Sequence, residues 1–138
     1  MKTAVNYSAV IALALIIASC ATPYQNTGFR GGYSDTALAP DVYRVSFQGN
    51  GFTSSDRAQD LALLHAADVT LSHGFRYFGI VNQASSSTLF SITESGDFIY
   101  KPKSGLLIQC FADRPERGYV FDAHFLSNSI RTKYNIKT

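Results

Sequence analysis

The segment from Asp56 to His73 constrains the fold most. Its 18 residues are rich in Ala and Leu, contain neither Pro nor Gly, and stop at Gly74, the residue type that most readily takes the left-handed conformation ending a helix. Thr53 or Ser54 can cap its start, and Asp56, three residues after Thr53, approximates a capping box. At about 100° per residue, Ala58, Ala62, Ala66 and Val69 fall on one stripe of small side chains, and Leu64, Ala67 and Leu71 lie on another flank. An Ala stripe lets a helix approach a sheet closely, so the rest of the chain must supply that sheet.

Strand signals flank the helix. Before it, Tyr43, Val45 and Phe47 alternate with Arg44 and Ser46 until Gly49-Asn50-Gly51 turns the chain. After it, Phe75-Arg76-Tyr77-Phe78-Gly79-Ile80-Val81 begins at once. Strand, helix and strand make a crossover unit, right-handed if its strands pair in parallel. The Ser-rich Gln83 to Thr88 reads as a loop. Beyond it, Phe90 and Ile92 alternate with Ser91 and Thr93, Glu94-Ser95-Gly96-Asp97 offers a turn, and Phe98-Ile99-Tyr100 resumes extended chain, so a hairpin is expected. Lys101-Pro102-Lys103-Ser104-Gly105 reads as a break before the apolar strand Leu106 to Ala112. After a charged loop, Asp113 to Gly118, Asp122 can cap a last helix in which Ala123, Leu126, Ile130 and Tyr134 recur at helical spacing, with Arg131 and Lys133 complementing its C-terminal dipole; a final strand is the alternative. The expected architecture is α+β over residues 41–138: a small sheet of about four strands, a long helix between the first two, and a C-terminal helix.

The first 40 residues have another character. After Met1-Lys2, Val10 to Ala18 is uncharged and apolar, too short to span a bilayer, which takes about 20 residues, but matching the core of a secretory signal peptide. Ile17-Ala18-Ser19-Cys20 resembles the lipobox of bacterial lipoproteins. That resemblance implies cleavage before Cys20, a diacylglycerol on its thiol, and further acylation, palmitate being the usual tracer. Ordinary secretory cleavage is the alternative. Ala21 is not the aspartate that tends to retain lipoproteins in the inner membrane, so the resemblance implies lipid anchoring to the outer membrane, with the domain in the periplasm. Residues 20–40, with two prolines, three glycines and no hydrophobic period, read as a flexible tether. Extended at about 3.3 Å per residue, it reaches roughly 66 Å. Its interleaved Tyr24, Phe29 and Tyr33 exceed what a solubilising linker needs and can dock on the domain or on a partner.

Removing residues 1–19 takes away only Lys2 among charged residues, leaving 11 basic against 10 acidic side chains. That balance argues against a nucleic-acid surface. Cys110, in an apolar strand, reads as a buried, inert thiol, a redox or intermolecular disulfide role being the alternative. His65 and Asp68, three residues apart on one helix, are either an acid–base pair or a surface hydrogen bond worth a few tenths of a kcal/mol, and the second reading is favoured. His65, His73 and His124 lack zinc-site spacing. Gly49-Asn50-Gly51 lacks the third glycine and the lysine of a phosphate loop, so a tight turn explains it. No catalytic constellation, metal set or cofactor motif is recognised. Aromatic and aliphatic residues occupy both parities of the later strands, however. Phe78, Ile80, Leu107 and Phe111 are therefore expected to border a surface covered by the tether, the last helix or another protein.

Several short words of the sequence, Cys20-Ala21-Thr22-Pro23-Tyr24, Gly31-Gly32-Tyr33-Ser34-Asp35, Arg44 to Gly51, Ala66-Ala67 with Gly74-Phe75-Arg76-Tyr77-Phe78, and Arg131-Thr132-Lys133-Tyr134, resemble a family of short uncharacterised proteobacterial outer-membrane lipoproteins of the Caulobacter type. The resemblance runs from Cys20 to the C-terminus. It implies a surface-tethered periplasmic domain and brings no activity, cofactor or catalytic residue. The function expected on this basis is a non-catalytic envelope module that binds or scaffolds a protein partner within an outer-membrane assembly. A periplasmic enzyme or small-ligand-binding protein is the runner-up.

Overall fold

A computed structural model describes residues 20–92 and 98–137. Its elements are β1 (Gly32–Ala39), β2 (Val42–Gln48), α1 (Ser55–Ser72), β3 (Tyr77–Ile92), β4 (Phe98–Phe111), β5 (Phe121–Asp122) and α2 (Ala123–Tyr134). The protein is α+β, with the strands forming one antiparallel sheet in the order β1-β2-β4-β3-β5 and the helices on one face.

The described sheet has five strands rather than about four, and the long helix lies between the second and third. The extra strand comes from the expected tether. Gly32–Ala39 pairs with β2, Tyr33 opposite Phe47 and Asp35 opposite Val45. Its alternation was hidden because the residues facing the helix layer are Tyr33, Asp35 and Ala37, only one of them strongly apolar. An inward-facing charge is also a common guard on an edge strand.

β2 and β3 do not pair. Each is antiparallel to β4, so they run in the same direction with β4 between them, and the crossover through α1 is split by the long β3–β4 hairpin. That hairpin includes the two stretches expected to be irregular: Ser85 pairs with Ser104, Ser86 with Lys103 and Ser87 with Pro102. Gln83 to Ser87 are exposed, so backbone pairing holds this stretch without any hydrophobic period to reveal it. Pro102 fits because its carbonyl accepts from Gly49 N–H at 2.8 Å on the β2 side, just beyond the last β2 pair, where its missing N–H takes no bond from the β3 ladder. The expected turn, Glu94-Ser95-Gly96-Asp97, lies outside the described residues.

The core follows the period-two pattern. Tyr43, Val45 and Phe47 of β2, Phe78 of β3, and Leu106, Ile108 and Cys110 of β4 are buried beneath Ala58, Leu61, Ala62, Leu64, Ala66, Ala67 and Val69 of α1. α2 adds Ala123 and Ile130, so α1 lies between sheet and helix and is buried on both flanks. Ser54 caps α1, its Oγ accepting from Arg57 N–H at 3.1 Å, and Gly74 follows the helix with φ +81°. Asp122 caps α2 by accepting from Phe125 N–H at 3.1 Å, and this bond holds its carboxyl below the usual carboxylate range.

Candidate functional site

The segment from Cys20 to Gly31 is not a free tether, because it lies on the domain through two polar nodes. In the first, Thr22 is fully buried. Its N–H donates to Thr53 Oγ1 at 3.1 Å, its Oγ1 accepts from Asn50 N–H at 2.7 Å, and its hydroxyl donates to Arg30 O at 2.9 Å. Asn50 Nδ2 also donates to the carbonyl of Cys20 at 2.7 Å. Thr53 is thereby drawn from capping α1, which Ser54 does instead. Gly49 is needed here, since a Cβ on it would sit 2.5 Å from Thr53 Cβ.

The second node carries the titratable groups. Tyr24 Oη donates to Asp68 Oδ2 at 2.6 Å and lies 3.2 Å from His65 Nδ1. His65 Nε2 meets Asp35 Oδ1 at 2.7 Å, and Tyr33 stacks on the imidazole with ring centroids 4.2 Å apart. Arg131 of α2 donates from Nη2 to Asp68 Oδ2 at 2.6 Å, and Ser127 donates to Asp68 Oδ1 at 3.2 Å. One cluster thus joins the N-terminal segment, β1, α1 and α2.

His65 and Asp68 are therefore neither an isolated pair nor a surface hydrogen bond. His65 is only 6% exposed, and the Tyr24 hydroxyl stands between the two side chains. Burial pushes the imidazole pKa down, against the opposing pull of the Asp35 hydrogen bond and charge. The neutral ring donates from Nε2 to Asp35, the tautomer assigned by the 2.7 Å contact. The Tyr24 hydroxyl has one proton, and the shorter contact gives it to Asp68. Burial and that carboxylate raise the phenol pKa, so Tyr24 stays neutral. Asp68 accepts from three donors, one on Oδ1 and two on Oδ2. Chemically, the arrangement fastens four pieces of chain together.

Sequence reasoning missed Tyr24, Asp35 and Arg131 as partners of this pair, which lie 44, 33 and 63 residues from Asp68. The only signal was the surplus of aromatics in the supposed tether. Arg131 and Lys133, expected to serve the dipole of α2, do lie in its last turn and also reach α1: Arg131 to Asp68, and Lys133 to Asp60 at 2.7 Å.

The four residues expected to border one surface do not share a face. Phe78 pairs opposite Cys110 and Ile80 opposite Ile108, which points both toward the helices, and Phe78 is fully buried. Leu107 and Phe111 have the other parity. A one-residue irregularity between Ile80 and Asn82 shifts the parity of β3 beyond that point. Phe111 is half-buried, and its ring and Val120 of the loop before β5 both border the space beside Gly79. Leu107 lines a shallow groove of about 220 Å³ with Arg44, Asn82, Ala84 and Gly105. Cys110 is buried as expected, hydrogen-bonded through Sγ to Thr70 Oγ1 at 3.4 Å, and burial pushes its thiol pKa up. Cys20 is half-buried and forms no disulfide with it.

Other clefts lie among the described residues, including one of about 410 Å³ at the end of α2. A second, of about 300 Å³, is lined by Ser55, Gln59, Ser85, Ser86, Ser87 and Lys103. A third, about 390 Å³ and mostly apolar, is bordered by Phe29, Phe52 and Ile99. Among the described residues no three His, Cys, Asp or Glu side chains are grouped to hold a metal, and no helix is long and apolar enough to cross a membrane. The chain matches no family model, no curated protein and no solved structure.

Proposed function

We propose that this chain is a bacterial lipoprotein, anchored through Cys20 to the outer membrane, whose domain is a non-catalytic binding or scaffolding module of the periplasmic envelope. One observation carries this reading. The titratable cluster at His65, the best candidate for chemistry, uses the Tyr24 hydroxyl, His65 Nε2, the Arg131 guanidinium and the carboxylates of Asp35 and Asp68 to join the segment after Cys20 to β1, α1 and α2. A residue that is to carry a membrane anchor gains from such a mount, because force on the lipid passes into the sheet and both helices. The signal-like apolar run, the lipobox-like Ile17-Ala18-Ser19-Cys20 and the resemblance to small proteobacterial lipoproteins support the same reading.

The protein-facing surface then narrows to the outer sheet face around Leu107 and Arg44, since Phe78 and Ile80 belong to the helix side. A periplasmic enzyme or small-ligand-binding protein is the second reading, favoured by the serine-lined cleft with Lys103 at its edge. Metabolic palmitate labelling of the wild type and Cys20→Ala tests the anchor, equal labelling of the two overturning it. Co-purification after gentle crosslinking separates the functional readings. A stoichiometric envelope protein lost in Leu107→Glu supports the first, whereas its absence together with a bound small molecule supports the second.

A further inference from the structure

Resting on the reading of Cys20 as the lipid-bearing residue, we propose that the domain does not hang from a tether but seats directly on the bilayer, with Phe29 and Phe52 in the headgroup–acyl boundary and Arg30 and Lys101 at the phosphates. Three sets of observations lead there.

The first is reach. Thr22 is fully buried and Asn50 holds the Cys20 carbonyl at 2.7 Å, so two residues separate the acylated position from the core. At about 3.3–3.6 Å per residue that is roughly 7 Å of chain, a tenth of what a twenty-residue linker allows. Acyl chains on Cys20 would bring this face of the domain to the membrane.

The second is what that face carries. Gly28 and Gly31 exchange backbone hydrogen bonds at 3.1 and 3.0 Å, closing a tight hairpin with Phe29 and Arg30 at its tip. Gly31, at φ +90°, allows the close return. Phe29 is therefore wholly exposed, at 104%. Across the apolar groove, Phe52 is 73% exposed on the turn made by Asn50, the residue that holds Cys20. Ile99 lines the same groove.

The third is charge. Arg30 and Lys101 edge the same groove. Aromatics flanked by cations match a lipid interface, where rings sit at headgroup level, long basic side chains reach the phosphates, and each cation near an anionic surface contributes about 1 kcal/mol. A single acyl chain holds a protein only marginally, so a second apolar contact beside it adds to residence. Tyr119 and Phe125, the most exposed of the other aromatics, do not share this setting. Tyr119 lies near Gly79 and Phe111, at the opposite end of β4 from Lys101, and Phe125 lies in the first turn of α2.

The chain contains no Trp, so a single introduced indole reports one place. The full chain isolated from membranes, carrying Phe29→Trp, Phe52→Trp or Tyr119→Trp, is reconstituted into phosphatidylethanolamine–phosphatidylglycerol vesicles containing phospholipid brominated near the headgroup end of its acyl chains. Indole emission is read, with circular dichroism to verify the fold and intact mass to read acylation. The expected result is a blue shift and about twofold or greater quenching for Phe29→Trp and Phe52→Trp relative to Tyr119→Trp. Equal quenching at all three sites overturns the proposal, as does no quenching at Phe52→Trp. A blue shift without bromine quenching also overturns it, because a protein rather than lipid then covers the groove. An intact mass without acyl chains refutes the anchor on its own, and the quenching contrast still decides which face meets the bilayer.

Discussion

Replacing Tyr24 by Phe tests the view that the N-terminal segment is part of the fold. The substitution removes one oxygen and keeps the ring, which sits 4.5 Å from Tyr33 and beneath Arg131. Lost are the 2.6 Å bond to Asp68 and the 3.2 Å approach to His65 Nδ1. A hydrogen bond to a carboxylate contributes about 1.5–3 kcal/mol. The lower end applies, because Asp68 keeps Arg131 at 2.6 Å and Ser127 at 3.2 Å and is not left bare. A loss of about 1.5 kcal/mol follows, a fall in Tm of about 5 °C for a domain of this size. Tyr24→Ala also loses the ring contacts and should cost roughly 3 kcal/mol. Phe29→Ala, nine residues from the anchor and fully exposed, should stay within about 0.5 kcal/mol of wild type. Thermal unfolding in non-ionic detergent, followed by near-ultraviolet circular dichroism, measures all three. If all three are silent, residues 20–31 are a tether and do not hold the domain at the bilayer.

Three other substitutions and treatments bear on the same architecture. Gly31→Ala forces a Cβ to 2.2 Å from the backbone oxygen of Gln48 at φ +90°, and should cost roughly 3 kcal/mol. Gly118→Ala, at φ +97° but with open space around it, should cost only about 1 kcal/mol, and comparable urea midpoints for the two would refute the close approach. The His65 pKa is lowered on folding, so between its folded value and the ordinary value of about 6.5 the unfolded chain holds more protons. Stability should therefore fall as pH drops below about 6.5. Asp35→Asn removes a group that raises that pKa and should widen the window; a urea midpoint flat from pH 7 to 5 in both proteins would count against burial as the dominant influence. Cys110 should resist a thiol reagent such as Ellman's in the native protein and react on unfolding, and rapid native modification would contradict its burial.

What could be read in sequence and what could not divides by the range of the interaction. α1, α2 and the alternation of β2 were legible because their signals are local: propensity, a cap, a stop residue and a period within one segment. β1 and the serine-rich half of β3 were not, since a strand pairs through its backbone and takes stability from a neighbour whatever its own side chains spell. The expected Phe78–Ile80–Leu107–Phe111 surface failed for a related reason. Facing depends on register, and the register of β3 against β4 is fixed by pairing and by the irregularity after Ile80.

At the candidate site the division is sharper. Local pattern alone was enough to show that an apolar run leads into Ile17-Ala18-Ser19-Cys20, that a long helix must be buried on a sheet, and that His65 and Asp68 share a helix face. It took the folded arrangement to show that Tyr24 stands between them, that Asp35 and Arg131 close the cluster from a strand and a second helix, and that Thr22 is bonded to Asn50 and Thr53. Each is a short-range contact between residues about 30 or more positions apart, which carry no shared local pattern. The physical consequence lies just after Cys20: a stretch whose composition resembles a linker becomes part of the fold once its few polar and aromatic groups find partners across it.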